Sequence, residues 1–170
     1  MPNKIEQKVF SENSIVDQIN IWKKKGYTLA FTNGVFDIVH RGHIDYLFKS
    51  SLKADKLIIG LNSDKSVKRL GKGDDRPYNT EENRAVLLAA FGFVDAVVVF
   101  DKDTPYDLIK TIKPNVLIKG GDYSPSANNG EHDYIVGSDI LREYNGEVTV
   151  IPFLKGYSTT SLVERIKNSK

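Results

Sequence analysis

Two histidines stand close together behind a predicted strand, in the segment F-T-N-G-V-F-D-I-V-H-R-G-H, residues 31–43. His40 and His43 are three residues apart, and a helical pattern follows them. Its apolar face carries Ile44, Leu47, Phe48 and Leu52. A strand, a glycine-containing turn and a helix N-terminus form an anion-binding geometry, because the first helical N–H groups are unpaired. Imidazoles there would add charge-assisted donors where negative charge builds up during phosphoryl or nucleotidyl transfer.

Other interpretations of this pair remain open from the residues alone. A His-x-x-His pair is also typical of a partly exposed polar pair or a zinc site, and the chain's third histidine, His132, lies far along the sequence. Gly34 and Gly42 favour phosphate, because both allow close approach of backbone to a ligand. Asp37 is either an Asx turn or cap, or a carboxylate that holds Mg²⁺ or orients the loop.

A polar segment, residues 62–77, follows the next apolar run. It is either a solvated surface or part of the same ligand-binding edge. Lys72 stands between Gly71 and Gly73, and the backbone freedom of the two glycines would allow the Lys72 cation to close over phosphates. Arg84, on the next helix, is either a surface salt-bridging residue or an inward-facing fork for phosphate.

Two further segments follow predicted strands. The first is K-G-G-D-Y, residues 119–123, where consecutive glycines indicate a tight turn or backbone approach to a ligand. The second is G-Y-S-T-T-S, residues 156–161, at the start of the last helix. Ser158 or Thr159 as N-cap explains one hydroxyl, and the remaining hydroxyls predict a second anion cradle.

Strand-like and helix-like segments alternate along the chain and position these residues. The predicted strands are Tyr27–Thr32, Lys56–Leu61, Val94–Phe100, Val116–Lys119 and Glu147–Pro152. The predicted helices run over about 14–25 and 42–52, from Ser63 or Asp64, from Thr80, and over about 104–112, 134–144 and 158–167.

This alternation predicts an α/β, Rossmann-like, doubly wound parallel sheet of five strands with helices on both faces. Ligands bind such sheets beyond the carboxyl ends of the strands. We expect a single domain over residues 1–170, with residues 1–26 as an N-terminal helical lead-in. Residues 124–133 have the composition of a mobile surface loop.

Composition excludes several classes of protein. The 170 residues include no cysteine, which excludes disulfides and thiolate chemistry. No apolar run approaches a membrane span, so we expect a cytoplasmic protein without membrane contact. A net charge of +2 with scattered Lys and Arg does not predict a nucleic-acid partner. A P-loop, a G-x-G-x-x-G fingerprint and a G-x-S-x-G elbow are all missing.

Taken together, these motifs resemble the nucleotidyltransferase family with the H-x-G-H signature, in its cytidylyltransferase-like branch. The matching segments are G-V-F-D-I-V-H-R-G-H, R-P…R and G-Y-S-T-T-S. Within the branch, the D-glycero-β-D-manno-heptose 1-phosphate adenylyltransferase domain is the most similar, through G-L-N-S-D-K-S-V-K-R-L, F-D-K-D-T-P and L-I-K-G-G-D-Y as well. The resemblance extends from about Asn20 to the final helix.

The resemblance implies transfer of AMP from ATP to heptose 1-phosphate, with release of pyrophosphate and with Mg²⁺ bridging phosphate oxygens. It implies small-molecule partners, namely a nucleoside triphosphate and a sugar phosphate, and a homodimer. The implied catalytic residues are His40, His43, Lys72 and Arg84. The implied nucleotide-binding residues are Thr32, Asn33, Gly34, Val35, Phe36, Asp37, Gly42, Gly121, Asp122, Tyr157, Ser158, Thr159 and Thr160, and no residue is implied as a metal ligand.

Two departures from the family pattern concern the acceptor. Phe153 falls where cytidylyltransferases carry an Arg, and the segment 124–133 is longer than in the heptose domain. The first departure argues against the glycerol-phosphate branch, whereas the longer segment 124–133, on the expected sugar side, indicates that the acceptor could differ. A cytidylyl- or adenylyltransferase for glycerol 3-phosphate or another sugar phosphate is therefore the alternative. A catalytically silent nucleotide-binding domain is the alternative of a different class.

Overall fold

A computed structural model describes residues 3–71, 75–121 and 123–169. Its strands are β1 (Val9–Ser11), β2 (Leu29–Gly34), β3 (Lys56–Asn62), β4 (Ala96–Phe100), β5 (Val116–Gly120) and β6 (Glu147–Ile151). Its α-helices are α1 (Ile15–Lys24), α2 (Arg41–Ser51), α3 (Asp64–Arg69), α4 (Glu81–Ala89), α5 (Tyr106–Ile112), α6 (Ser138–Glu143) and α7 (Thr159–Lys167).

The strands form one parallel sheet in the order β1-β4-β3-β2-β5-β6. An apolar core lies on each face, one including Ile15 and Leu108, the other Leu47 and Leu88. The predicted α/β class and doubly wound sheet are therefore confirmed. After β2 the chain proceeds to β3 on one side, and β5 later takes the other side of β2, so the carboxyl end of β2 is the topological switch point.

The sheet has six strands rather than the five that we predicted. The additional strand, β1, pairs with β4 from Val9↔Val97 to Ser11↔Val99. It lies in the segment that we expected to be a helical lead-in. Three residues are too few to show the alternation of a strand, and β1 is held by its parallel pairing with β4 instead.

The apolar face of α2 is only partly buried. Leu47 is fully buried, but the side chains of Ile44, Phe48 and Leu52 are 40%, 49% and 69% exposed. Phe48 contacts the ring of Phe93 edge to face, with 5.7 Å between centroids, and Phe93 stacks on Phe91. We call Ile44, Phe48, Leu52, Phe91 and Phe93 the α2 outer patch.

The segment 124–133 folds back on itself. Its two ends meet where the N–H of Ser124 donates to the carbonyl of Asp133 at 3.1 Å. Arg142 Nη2 holds it from outside by donating to the carbonyls of Pro125 and Ala127. Ala127 is buried. The expectation of a mobile loop rested on composition, which does not register the anchoring by Arg142.

No helix within the described part of the chain is long and apolar enough to cross a membrane.

Candidate active site

A cleft of about 750 Å³ opens at the carboxyl ends of the central strands, the edge where the sequence predicts a ligand. Predicted site residues that line it are Asn33, Gly34, Val35, Phe36, Asp37, His43, Thr159 and Thr160. Further lining residues are Tyr46, Asn62, Val67, Leu70, Arg76, Asp103, Thr104, Pro105, Lys119, Gly120, Tyr123, Val136 and Phe153. The structure thus brings the motifs after β2, β3, β5 and β6 into one cavity.

His40 and His43 cap the start of α2 reciprocally. The N–H of His43 donates to Nδ1 of His40, and the N–H of His40 donates to Nδ1 of His43, both at 3.4 Å. Their rings stack with centroids 3.9 Å apart. Because each Nδ1 accepts a hydrogen bond, the proton of each neutral imidazole belongs on Nε2. His43 lines the cleft, and the ring of His40 stacks on it.

Burial, and to a smaller extent the neighbouring His40, together lower the pKa of His43 to about 4, although the carbonyl of Ile38 acts in the opposite direction. Burial also lowers the pKa of His40. His43 is therefore neutral at pH 7 without a ligand and offers a hydrogen bond rather than a full charge. A phosphate anion beside it would raise its pKa again.

The lowered pKa predicts acid-sensitive stability. The pKa of His43 is about 4 in the folded chain against an ordinary 6.5, so the unfolded chain binds more protons between these values. The contribution of His43 to the free energy of unfolding is therefore complete above pH 6.5 and is lost as the pH falls towards 4. We expect His43→Asn to reduce the acid-induced loss of unfolding free energy by about 1–2 kcal/mol, allowing for partial exposure. Urea denaturation across this range measures it, and identical pH profiles for both proteins would contradict it.

The starts of α2 and α7 pack against each other. A Cβ at Gly42 would lie 3.0 Å from both the His40 ring and Cβ of Tyr157, so side chains occupy the space that we had expected a phosphate to use. The hydroxyl of Ser158 accepts from the N–H of Ser161 at 3.0 Å, which makes Ser158 the N-cap. Thr159 lines the cleft at this junction, and its hydroxyl donates to the carbonyl of Ile38 at 3.5 Å.

Asp37 organises the loop after α3 from inside the protein. Its Oδ2 accepts from Arg76 Nη1 at 2.9 Å, and its Oδ1 accepts from the N–H groups of Tyr78 and Asn79 at 2.8 and 2.9 Å. The side chain is 3% exposed. Of the two roles that we considered near a triphosphate, the structure supports the orienting of a loop.

Arg84 is neither a surface residue nor a free phosphate ligand. Its side chain is fully buried. It donates to the carbonyls of Asn79, Val35 and Asn62 at 3.0, 2.6 and 2.9 Å and to Asp64 Oδ1 at 2.7 Å. We therefore correct the catalytic role that the resemblance implied: Arg84 joins the loops that form the cleft wall.

Other predicted residues lie just behind the cleft or outside the described part of the chain. The hydroxyl of Thr32 is 2.6 Å from the hydroxyl of Tyr46 and is fully buried. Gly121 takes a φ of +102°, which an L side chain rarely adopts, and its N–H donates to the carbonyl of Ile151. The predicted residues Lys72 and Asp122 lie outside the described residues.

Two of the lining residues that sequence reasoning missed are cations. Arg76 belongs to the R-P signature but was not predicted as a site residue, although its guanidinium lines the cleft beside Asp37. Lys119 Nζ donates to Asn33 Oδ1 at 2.9 Å and thereby joins the ends of β5 and β2. Both have a recognisable signal in the sequence, because each is a cation directly before a turn-forming residue. Arg76 precedes Pro77, and Lys119 ends a predicted strand before Gly120.

The described residues do not form a site for a resident metal ion. Within 3–71, 75–121 and 123–169, no group of three or more His, Asp or Glu side chains could hold one. Of the carboxylates that line the cleft, Asp37 has both oxygens in use, and Asp103 pairs with Arg69 at 2.6 Å.

Comparison with known proteins matches the site to one family. The profile described as Cytidylyltransferase-like covers residues 31–165, which include all the cleft-lining segments. A crystal structure of the lipopolysaccharide core biosynthesis protein from Thermoplasma volcanium GSS1 superposes with a TM-score of 0.59 and 24% identity. The superposition covers 78% of this chain and 100% of that one, and it shows a shared fold.

Similar curated proteins are named bifunctional protein HldE. The one from Syntrophotalea carbinolica is 44% identical over 161 residues, which is 95% of this chain and 31% of that protein. The one from Wolinella succinogenes is 46% identical over 96% of this chain and 32% of its own length, and the one from Nitratiruptor sp. 52% identical over 85% and 29%. The chain thus spans about a third of the length of these relatives.

Proposed function

The chain belongs to the cytidylyltransferase-like family, and from this membership we propose that it is a nucleotidyltransferase that converts ATP and D-glycero-β-D-manno-heptose 1-phosphate to ADP-heptose and pyrophosphate. The observation that carries the proposal is the convergence of His43 with Thr159 and Thr160 in one cleft. These side chains offer neutral donors at adjoining helix starts, a combination that suits a triphosphate. ATP and heptose 1-phosphate are supported by the resemblance of the L-I-K-G-G-D-Y and F-D-K-D-T-P segments and by the HldE relatives.

The proposed reaction is an in-line displacement. A phosphate oxygen of the sugar phosphate forms a bond to the α-phosphorus of ATP, the bond to the bridging oxygen breaks, and pyrophosphate leaves with the electron pair. His43 Nε2–H donates to a non-bridging oxygen as charge develops, and the hydroxyls of Thr159 and Thr160 bind the leaving phosphates. We also propose, from the sequence, that Lys72 neutralises these phosphates. Because the sugar phosphate itself attacks, catalysis requires only positioning and electrostatic stabilisation, and no side chain has to act as a nucleophile.

An activity matrix tests the proposal. Purified protein is incubated with ATP or CTP and with heptose 1-phosphate, other sugar phosphates or glycerol 3-phosphate, and released pyrophosphate is measured. We expect the highest kcat/KM for ATP with heptose 1-phosphate, and a turnover roughly 10²- to 10³-fold lower for His43→Ala with the same pair of substrates. Preferred turnover of CTP with glycerol 3-phosphate would contradict the heptose assignment and leave nucleotidyl transfer intact.

We further propose a cytoplasmic homodimer that associates through the α2 outer patch. Ile44, Phe48 and Leu52 are spaced four residues apart along α2 and expose a continuous apolar stripe beside an aromatic cluster. Contiguous exposed apolar surface of this kind marks an interaction site, and a two-fold axis would pair the stripe with itself.

A charge in the patch is expected to separate the subunits. Phe48→Glu buries a carboxylate in the proposed interface, so light scattering after gel filtration should show half of the wild-type mass. The control is Ile166→Glu, because Ile166 is 64% exposed on α7 and lies outside the patch. A monomeric wild type, or a Phe48→Glu dimer, would contradict the proposal.

A further inference from the structure

The two ends of the cleft differ in chemistry. The exposed aromatic rings among its described lining residues lie at the β5–β6 end, where Phe153 is 60% exposed and Tyr123 39%. The other two lining rings, Phe36 and Tyr46, are 6% and 4% exposed and belong to the wall. The opposite end, beside α3 and the start of α5, is lined by Val67, Leu70, Asp103, Thr104 and Pro105.

Phe153 is held in place although most of its ring is exposed. It lies over two consecutive glycines, where a Cβ on Gly120 would overlap the ring and one on Gly121 would come within 2.9 Å of it. Tyr46 contacts it edge to face, with 6.0 Å between centroids. Tyr46 is itself fixed by its hydroxyl contact with Thr32. The ring is therefore a preorganised flat apolar surface inside a polar cleft.

The chemistry of the two substrates assigns them to different ends. A nucleobase presents a planar π face, which stacks on an aromatic ring. A sugar phosphate presents hydroxyls, which need hydrogen-bond partners such as the carboxylate of Asp103 and the hydroxyl of Thr104. With the phosphates at His43 and Thr159, between the two ends, the base reaches the aromatic end, and the sugar reaches the end that carries Asp103 and Thr104.

We propose that Phe153 is the platform on which the adenine of ATP stacks, and that it favours ATP over CTP. The preference follows because a purine covers more of the ring than a pyrimidine does and removes more apolar surface from water. This inference rests on the proposed function and adds the residue that selects the base.

Equilibrium binding without any acceptor tests the platform. We expect calorimetric titration to show ATP binding weakened roughly 5- to 150-fold by Phe153→Ala, the range for loss of one base–aromatic stack. The loss of CTP affinity should be smaller. Phe153→Trp should retain ATP affinity, and Phe153→Leu should recover only part of it, because leucine is apolar but not planar. Ile166→Ala, an exposed apolar truncation outside the cleft, should change nothing.

Steady-state kinetics supply the second readout. The KM for ATP should rise in Phe153→Ala, while the KM for the sugar phosphate stays within about two-fold. Unchanged ATP affinity in this variant, or a rise confined to the KM of the sugar phosphate, would overturn the platform. If the wild type binds ATP but does not use heptose 1-phosphate, the acceptor assignment fails. The role of Phe153 is then still tested by comparing the ATP affinities of the wild type and Phe153→Ala. If the wild type binds no nucleotide, both proposals fail.

Discussion

Replacing His43 with alanine is expected to lower kcat by roughly 10²- to 10³-fold, while the affinity for ATP changes only a few-fold. The magnitude is that of removing one preorganised donor from a site of developing negative charge. The effect falls on kcat because the Nε2–H bond strengthens as the α-phosphate becomes more negative in the transition state. Single-turnover kinetics with saturating ATP, together with calorimetric titration, measure the two quantities separately.

Two variants separate this chemistry from the capping of α2. His43→Asn retains a side-chain acceptor near the position of Nδ1 for the N–H of His40 but removes the Nε2 donor. It should therefore lose activity like alanine while retaining more stability. His132→Ala removes the histidine in the segment 124–133, which does not line the cleft, and should be fully active. Activity near the wild-type level in both His43 variants would contradict the proposed role.

Replacing Arg84 with alanine is expected to destabilise the fold by about 3–5 kcal/mol. The substitution leaves the carbonyls of Val35 and Asn62 without their buried donor and leaves Asp64 without its cation. Denaturant unfolding followed by circular dichroism measures the loss. Activity should fall as well, because Val35 and Asn62 lie in segments that form the cleft.

Arg69→Ala is the matched control for Arg84. Arg69 also bonds a carboxylate, Asp103, but its side chain is 43% exposed, so solvent screens the pair and its loss should change stability far less than the loss of Arg84 does. An Arg84→Ala protein with wild-type stability and a large rise in the KM for ATP would contradict the structural role. That outcome would restore the phosphate-binding role that the resemblance implied.

The helices and strands were predictable where the local pattern is strong. β3 is an uninterrupted apolar run that is buried on both faces, which is typical of a central parallel strand. α2 runs from Arg41 to Ser51, one residue from the predicted bounds of about 42–52. β1 was missed because three residues carry too little pattern, and its pairing with β4 depends on residues almost ninety positions away.

The location of the candidate site at the strand ends was predictable from the sequence. The orientation of the individual side chains was less predictable. Fold rules place every loop after a parallel strand at one edge, so the positions of His43 and Thr159 along the chain suffice to assign them to a shared cleft. The rules do not say which way a side chain faces. Thr32 points to Tyr46, and Arg84 points to three backbone carbonyls, because neighbouring elements supply those partners.

The sequence by itself determined the parallel α/β sheet and the ligand-binding edge, because these follow from apolar periodicity and from fold rules. Nucleotidyl transfer was implied by the resemblance of the motifs to a known family. The tertiary structure alone decided which predicted groups are available. It made His43 a neutral donor, turned Asp37 and Arg84 into supports for the loops, and seated Phe153 on Gly120 and Gly121. The physical reason is that pKa, hydrogen-bond partners and exposure depend on neighbours distant in the chain, which no local spacing records.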